Sequence, residues 1–168
     1  MTALVDQMIQ SVRRIATLLR PSILDDLGLV AALEWQSREF QDRTGVRCEL
    51  QVSPRIAELP LDAQKSTALF RIAQELLTNV ARHAEAATMC LSLEETDGML
   101  ILKAEDDGKG IPDSLGTRTT SLGLLGIRER VSLLGGTCSI DAEPSKGTRV
   151  AVHIPMHEED GRNALPVG

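Results

Sequence analysis

The segment of the sequence with the most reactive groups is residues 104–112, which read AEDDGKGIP. Two adjacent carboxylates, Asp106 and Asp107, are followed by Gly108 and Gly110 with a lysine between the glycines. A calcium loop, a phosphate-binding loop and a plain surface turn all combine acids with glycines. Glycine permits close approach of a ligand to the backbone, so the pattern raises the question of which ligand the acids would recognise.

Several known loop types are excluded by spacing. A calcium loop that began at Asp106 would place glycines at its third and fifth ligand positions and Thr117 at its twelfth. A dinucleotide-binding fingerprint would need glycine where Asp113 stands, and a Walker loop would need it where Lys103 stands. A surface turn stays open for this segment alone. The loop also leaves a strand of buried type, which favours a ligand over a plain turn.

A second polar set lies on a long helix predicted over residues 62–84. At 100° per residue its apolar arc carries Leu69, Ile72, Ala73, Leu76, Leu77 and Val80. The opposite side carries Arg71, Glu75, Thr78, Asn79, Arg82 and His83. Glu75 and Asn79 are neighbours at i, i+4. An amide oxygen beside a carboxylate suits a hard cation such as Mg²⁺ that also holds phosphate, although a solvated helix face is the alternative. His83 alone indicates local hydrogen bonding rather than catalysis.

A second glycine set occurs in residues 121–130, SLGLLGIRER, where Gly123 and Gly126 open a predicted helix. The free N–H groups and the dipole of a helix start favour an anionic phosphate, while a flexible link into the helix is the alternative. Residues 112–120 are rich in Ser, Thr and Gly and have the length of a lid. Residues 145–148, SKGT, are by themselves consistent with a hairpin turn and nothing more.

The elements that would position these groups can be predicted from periodicity and turn signals. Apolar gaps of three and four residues predict a helix over 3–19 that packs on other helices. A second helix is predicted from Ser22 to about Arg43, with Gly45 as its stop. Predicted strands are 46–52, 87–94, 99–104, 137–142 and 148–154, with a hairpin at Asp97-Gly98, a loop over 105–122 and a last helix over 124–134. Strands separated from helices in this way predict an α+β fold, with one mixed, mostly antiparallel sheet covered by helices on one face.

The composition of the 168-residue chain narrows the class of protein. A net charge of −6 and a pI near 5.1 oppose binding to nucleic acid. Three aromatic residues, Trp35, Phe40 and Phe70, offer no stacking platform for single strands. An odd set of three distant cysteines opposes a disulfide framework or a zinc knuckle, and a reducing cytoplasmic setting fits it. No apolar run approaches the roughly 18 residues of a membrane span, and an anchor elsewhere in a longer protein stays open.

The order of the motifs is more specific than any one of them. The chain carries Glu-x-x-x-Asn on a helix, then Asp-x-Gly-x-Gly, then Gly-x-x-Gly, then Gly-Thr before a closing strand. Over residues 46–155 this order resembles the ATP-binding domain shared by gyrase, histidine kinases and the mismatch-repair protein MutL. The segments Leu19-Arg-Pro21 and Leu24-Asp-Asp-Leu-Gly-Leu29 resemble the nitrate/nitrite-sensor and DesK-like subfamily of bacterial sensor histidine kinases.

The resemblance implies a Bergerat-type ATP-binding fold with ATP and Mg²⁺ as cofactors. Asp106 would accept a hydrogen bond from the adenine amino group; a carboxylate could equally accept from guanine, so it is the resemblance that selects adenine. Asn79 would be the Mg²⁺ ligand, with Glu75 as the catalytic residue beside it. The implied nucleotide-binding set is Asn79, Arg82, His83, Asp106, Gly108, Gly110, Gly123, Leu124, Gly126 and Thr148.

The implied reaction transfers the γ-phosphoryl group of ATP to a histidine, chemistry in which a protein mainly positions groups and neutralises charge. The acceptor of that family lies on a dimerisation helix, whereas the histidines here are His83, His153 and His157, none in that setting. We therefore expect residues 1–20 to be the remnant of a dimerisation hairpin, 21–155 to be the catalytic domain and 156–168 to be a disordered tail. This chain alone should bind ATP without phosphorylating itself.

The expected partners are an acceptor helix, in cis or in trans within a homodimer, and a response regulator with a helix-turn-helix output domain; nucleic acid is not expected. Two other enzyme classes share the ATP fold. An anti-sigma-factor-type serine kinase would not be expected to carry the 3–19 seam, and a gyrase- or MutL-type ATP hydrolase would use Glu75 as general base on water. A non-enzymatic dimerisation module is the remaining alternative.

Overall fold

The computed structural model describes residues 22–110 and 122–157 as four helices, a π-helical turn and five strands. The helices are α1 (Ser22–Thr44), α2 (Pro54–Glu58), α3 (Ala63–Asn79) and α4 (Leu122–Leu133), and the π-helical turn Val80–Ala84 extends α3. The strands are β1 (Arg47–Val52), β2 (Thr88–Thr96), β3 (Met99–Asp106), β4 (Thr137–Glu143) and β5 (Gly147–Pro155). The predicted helix over 3–19 and the predicted lid over 112–120 lie outside the described residues.

The five strands form one sheet in the order β1-β2-β3-β5-β4. β1 pairs with β2 in parallel, and the other three pairings are antiparallel. This arrangement confirms the predicted mixed, mostly antiparallel sheet. β3 is the central strand, as predicted, but only alternate residues of it are buried. Because one sheet face packs on helices, the strands alternate between core and solvent rather than being apolar on both faces.

The core lies between the sheet and the helices on its one covered face. The predicted apolar arc of α3 is confirmed, since all six of its residues are buried. They meet the inward side chains of the central strands, which include Leu91, Leu93, Leu102 and Val152. α1 adds Leu33 and Phe40 to the same cluster. The opposite, polar side of α3 is therefore held at a fixed orientation relative to the sheet.

Two predicted turns are confirmed by backbone geometry. Asp97 and Gly98 have φ of 53° and 75°, and they join Thr96 to its partner Met99 across the β2–β3 hairpin. Positive φ at both central residues is the requirement of the tightest hairpin turn. Gly45 has φ of 74° and donates its N–H to the Gln41 carbonyl at 2.8 Å, which ends α1.

Other boundaries differ from the predictions. β3 continues to Asp106, so the predicted start of a loop at 105 is wrong; Glu105 and Asp106 keep their ladder partners Arg149 and Thr148. Gly28, with φ of 82°, interrupts the predicted helix over 22–43. The one-turn helix α2 was not predicted, because five residues are too few for a periodic signal.

The long helix predicted over residues 62–84 begins at a capping residue and ends in a π-helical turn. At its start, Asp62 is the N-cap and accepts a hydrogen bond from the Lys65 N–H at 2.7 Å. Its last five residues are π-helical rather than α-helical. Beyond β5, the Met156 N–H donates to the Gly98 carbonyl and its own carbonyl accepts from Lys65 Nζ. Met156 is therefore fixed to the domain, and the remainder of the predicted tail beyond His157 lies outside the described residues.

Candidate functional site

Asp106 ends the central strand β3, at the point where the chain turns back towards the helices. Its carboxylate accepts the Gly108 N–H at 2.9 Å, and it is the ladder partner of Thr148 on β5. Burial raises the pKa of the half-buried carboxyl, the N–H groups of Gly108 and Thr148 oppose that rise, and the Asp107 charge adds to it. The result is an oriented, partly desolvated hydrogen-bond acceptor.

Asp107 makes different contacts, although it is the next residue. Its Oδ1 accepts from the N–H groups of Ala87 and Thr88, both at 2.8 Å, and its Oδ2 accepts from the Thr88 hydroxyl at 2.8 Å. The Thr88 backbone and hydroxyl, with a smaller contribution from Ala87, hold the pKa of Asp107 below its ordinary value. This exposed acid ties the end of β3 to the start of β2, and in the sequence only the family resemblance distinguished it from Asp106.

Gly108 is buried against the π-helical turn. A Cβ at this position would overlap the Ala84 carbonyl oxygen, and the next residue, Lys109, donates its N–H to that same oxygen at 2.8 Å. The Lys109 ammonium also pairs with Glu85 at 2.6 Å. The chain's own backbone therefore requires glycine at 108. The predicted role, close approach of a nucleotide, stays a prediction beside this structural requirement.

Backbone atoms at the β4 and β5 side of the acid loop require glycine at positions 110 and 147. Gly110 has φ of 68°, and a Cβ there would overlap the Glu143 carbonyl oxygen at the end of β4. A Cβ on Gly147, with φ of 86°, would overlap the Asp106 carbonyl oxygen. The Gly-Thr pair, which opens β5 in the structure, thus allows this strand to start directly against Asp106. The predicted Thr148 therefore lies beside the predicted base-reading acid.

The π-helical turn Val80–Ala84 connects the acid loop to the long helix. It carries Arg82 and His83, both exposed, and ends at Glu85 in the left-handed conformation with φ of 51°. π-Helical insertions are rare and occur frequently at functional sites, because they re-aim side chains without ending the helix. The sequence predicted an unbroken α-helix here, so the rotation of Arg82 and His83 relative to Asn79 could not be predicted.

The polar stripe of α3 meets the start of α4. A Cβ on Gly123 would overlap Glu75 Oε1 and lie 3.3 Å from Asn79 Oδ1, so the two predicted side chains converge on one point at this helix start. The Asn79 Nδ2 atom is buried and has no hydrogen-bond partner among the described residues. A buried amide without its full set of partners is unusual, because an unmade hydrogen bond costs free energy.

The chemistry of this pair fits a hard cation. A carboxylate and an amide oxygen supply two of about six ligands, and Mg²⁺ completes its shell with water and substrate phosphates. In the described parts of the chain, no group of three or more His, Cys, Asp or Glu side chains could hold a metal by itself. A cation bound by Glu75 and Asn79 would therefore take its other ligands from water or from a bound anion.

The remaining predicted residues lie along the same two helices. Gly126 has open space around it, with Arg130 Nη1 the nearest atom, 4.0 Å from where a Cβ would be. Leu124 is half-buried and packs on the core. The structure thus brings Asp106, Gly108 and Thr148 together at one end of the polar helix face and Glu75, Asn79 and Gly123 further along it. It also adds one group with no predicted role, the Ala84 carbonyl, which accepts the Lys109 N–H.

Solved structures share this architecture. The histidine kinase domain of the Erythrobacter litoralis EL346 blue-light activated histidine kinase matches with a TM-score of 0.71 at 23% identity, covering 86% of this chain and 74% of that one. The Acinetobacter baumannii histidine kinase AdeS matches with a TM-score of 0.62 at 19% identity, covering 93% and 83%. The fold is accordingly that of the ATP-binding domains of histidine kinases.

Sequence comparison assigns the family. The model of the histidine kinase-, DNA gyrase B- and HSP90-like ATPases matches residues 64–158, more than half of the chain. The chain therefore belongs to this family.

The named relatives are histidine kinases that are longer than this chain. The signal transduction histidine-protein kinase/phosphatase UhpB of Salmonella typhimurium is 41% identical over 147 residues, which are 87% of this chain and 28% of UhpB. The oxygen sensor histidine kinase NreB of Staphylococcus carnosus is 31% identical over 153 residues, 91% of this chain and 44% of NreB. The chain thus spans less than half the length of these relatives. No helix in residues 22–110 or 122–157 is long and apolar enough to cross a membrane.

Proposed function

We propose that this chain binds ATP with Mg²⁺ and donates the γ-phosphoryl group to a histidine on a dimerisation helix, for signalling to a response regulator. The observation that carries the proposal is Asp106: a desolvated carboxylate, oriented by two backbone N–H groups, at the strand end where this ATPase family is expected to read adenine. Its ionised form can only accept hydrogen bonds, which suits the amino group of adenine.

Asn79 and Glu75 would hold Mg²⁺ together with the phosphates. Their convergence at the start of α4 supports this assignment. The buried Nδ2 of Asn79, which has no partner among the described residues, is a donor and would suit a phosphate oxygen beside the cation. Bound there, the cation would supply charge neutralisation for phosphoryl transfer. Arg82 and His83 on the π-helical turn, together with Gly123, Leu124 and Gly126 at the start of α4, complete the proposed nucleotide site. Gly108, Gly110 and Thr148 would border the base.

The histidines of this chain are not the proposed acceptor. His83 is on the π-helical turn beside the nucleotide, His153 is on β5 between two core-facing residues and so points to the uncovered sheet face, and His157 follows that strand. In-line transfer needs an acceptor nitrogen roughly 3–3.5 Å from the phosphorus with free approach to it. We therefore propose an acceptor helix that docks on this domain from the same protein or from a second copy, in a cytoplasmic setting, with a helix-turn-helix response regulator as the next partner.

The decisive experiment combines the chain with γ-labelled ATP, alone and with a two-helix fragment that carries a histidine. The expected result is no label on the chain alone and acid-labile label on the added fragment, because acid hydrolyses phosphohistidine. Acid-stable label on a partner would indicate a serine kinase instead. Release of free phosphate that Glu75→Gln abolishes would indicate an ATP hydrolase with Glu75 as general base. Absence of any nucleotide binding in a prior calorimetric titration would contradict all three.

A further inference from the structure

The two edges of the sheet are protected to different degrees. At the β1 edge, the Gln41 side chain of α1 accepts the Cys48 N–H at 3.0 Å, so part of the outer side of this strand is already occupied. At the other edge, β4 pairs with β5 along its whole length. Within residues 22–110 and 122–157, the Glu143–Lys146 turn contact is the one other backbone hydrogen bond that reaches β4. A strand edge of this kind presents N–H and C=O groups that can pair with a further strand.

The sequence of β4, TCSIDAE, contains none of the residues that usually prevent pairing at a sheet edge. It has no proline, glycine or lysine, and its register with β5 runs from Thr137 to Glu143 without a bulge. Its half-buried side chains lie on the helix-covered face of the sheet, and they are Cys138, Ile140 and Ala142. Its exposed side chains lie on the uncovered face, and they are Thr137, Ser139, Asp141 and Glu143. Both hydroxyls are therefore in the first half of the strand and both acids in the second half.

We propose that the β4 edge is a docking surface for the β4 edge of a second copy of this chain, in an antiparallel pairing centred on Ile140. In this register Thr137 of each copy lies opposite Glu143 of the other, and Ser139 lies opposite Asp141. Each carboxylate then meets a hydroxyl donor on the uncovered face. On the helix-covered face Ile140 meets its own counterpart, a β-branched pair of the kind that stabilises neighbouring strands.

Charge complementarity selects this register over its neighbours. A pairing centred on Asp141 would place two like charges directly opposite each other. A pairing centred on Ser139 would pair only residues 137–141 of β4 and leave Glu143 outside the ladder. A shift by one residue would place the helices of the two copies on opposite faces of the joined sheet. One strand from each copy is a small contact beside the roughly 1,200–2,000 Å² of stable interfaces, so association should be weak and concentration-dependent. The proposal does not depend on the proposed function.

The test measures self-association of the full chain by sedimentation velocity, from about 10 μM to about 1 mM. Ser139→Asp places a carboxylate opposite Asp141 of the other copy twice by symmetry, so the dimer dissociation constant should rise roughly fivefold or more. Ser139→Lys creates two opposite-charge pairs at the same points, and the constant should fall instead. The matched control is Ser132→Asp, the same change at an exposed position of α4, which should stay within about twofold of the unmodified chain.

A charge exchange and amide exchange test the register itself. The double variant Ser139→Asp, Asp141→Ser swaps the two opposing groups and keeps the net charge, so it should associate as the unmodified chain does. Amide exchange of β4 should slow as concentration rises, whereas that of β1 should not.

Three results would overturn the docking surface. The first is a chain that stays monomeric at about 1 mM, and ATP binding by that monomer would leave the proposed function intact. The second is a change of the same sign in Ser139→Asp and Ser139→Lys, because the register predicts opposite signs. The third is an effect of Ser132→Asp as large as that of Ser139→Asp, or slowed exchange at an element other than β4, since either would place the contact elsewhere.

Discussion

Asp106 and Asp107 are adjacent and identical in type, yet the structure assigns them opposite environments. Asp106 is half-buried and its pKa is raised by burial, whereas Asp107 is exposed and the Thr88 backbone and hydroxyl, with Ala87, lower its pKa. A lowered carboxyl pKa indicates that the fold stabilises the charged form of the group. A raised pKa indicates that the charged form costs folding free energy, because its contacts do not fully offset its burial. The difference suggests that Asp107 serves the fold and that Asp106 awaits a ligand.

Both acids depend on the loop that Gly108 allows to pack on the π-helical turn. Gly108→Ala would drive a methyl group into the Ala84 carbonyl, a backbone atom that cannot move aside as a side chain would. We expect a loss of about 1–3 kcal/mol in the free energy of unfolding, measured by urea denaturation.

The matched control for Gly108 is a glycine with room around it. Gly126→Ala adds the same methyl group at a place where, apart from the adjoining backbone of its own helix, the nearest atom is Arg130 Nη1 at 4.0 Å. Because alanine is favoured over glycine inside a helix, the control should gain about 0.5–1 kcal/mol. Equal stability of the two alanine variants would contradict the packing role assigned to Gly108.

Asp107→Asn should lower the thermal midpoint of the nucleotide-free chain, and Asp106→Asn should not. The amide at 107 loses the charge and one of the two acceptor oxygens that the Thr88 groups and the Ala87 N–H use. The amide at 106 keeps an oxygen for the Gly108 N–H and removes a desolvated charge. Scanning calorimetry of both variants at neutral pH measures the difference, and a midpoint that falls only for the 106 variant would reverse our assignment.

The sequence predicted which carboxylate reads the base only by family resemblance. Its periodicity predicted the sheet, its helical face and the buried arc of α3, because burial of apolar side chains dominates the free energy of folding. The same patterns could not show that Gly108 packs on Ala84, that the end of the long helix is π-helical, or that Gly147 admits β5 against Asp106. Those features depend on contacts between segments that are distant in sequence, and local propensities cannot predict such contacts.

The opposite pKa shifts also predict how acid affects the two roles. The Asp107 contribution to stability is present above the unfolded-state value near pH 4 and is lost as pH falls through the lowered folded value. Asp106 behaves in reverse: its ionised form destabilises the fold as pH rises through its raised value, and below that value its proton removes the acceptor. ATP affinity should therefore weaken on acidification before the fold is lost.

The pH experiment needs a control for protonation of the nucleotide itself. Calorimetric affinities from neutral pH to about pH 4.5 would be compared between the unmodified chain and Asp106→Asn, with circular dichroism to follow the fold. The part of the loss of ATP affinity at low pH that occurs only in the unmodified chain measures the effect of protonating Asp106. If ATP affinity changes with pH identically in the two proteins, protonation of Asp106 does not affect ATP binding.

The most direct test of the division between the two acids is calorimetric titration of Asp106→Asn and Asp107→Asn with Mg·ATP under the same conditions. An amide that presents its N–H₂ to the adenine amino group leaves two donors facing each other, so we expect Asp106→Asn to lose roughly tenfold to a hundredfold in affinity with its fold intact. Asp107→Asn should bind ATP within a few-fold of the unmodified chain at a temperature well below its lowered midpoint. Undiminished binding by Asp106→Asn, or a large loss confined to Asp107→Asn, would contradict the central claim that Asp106 is the acid that reads the base.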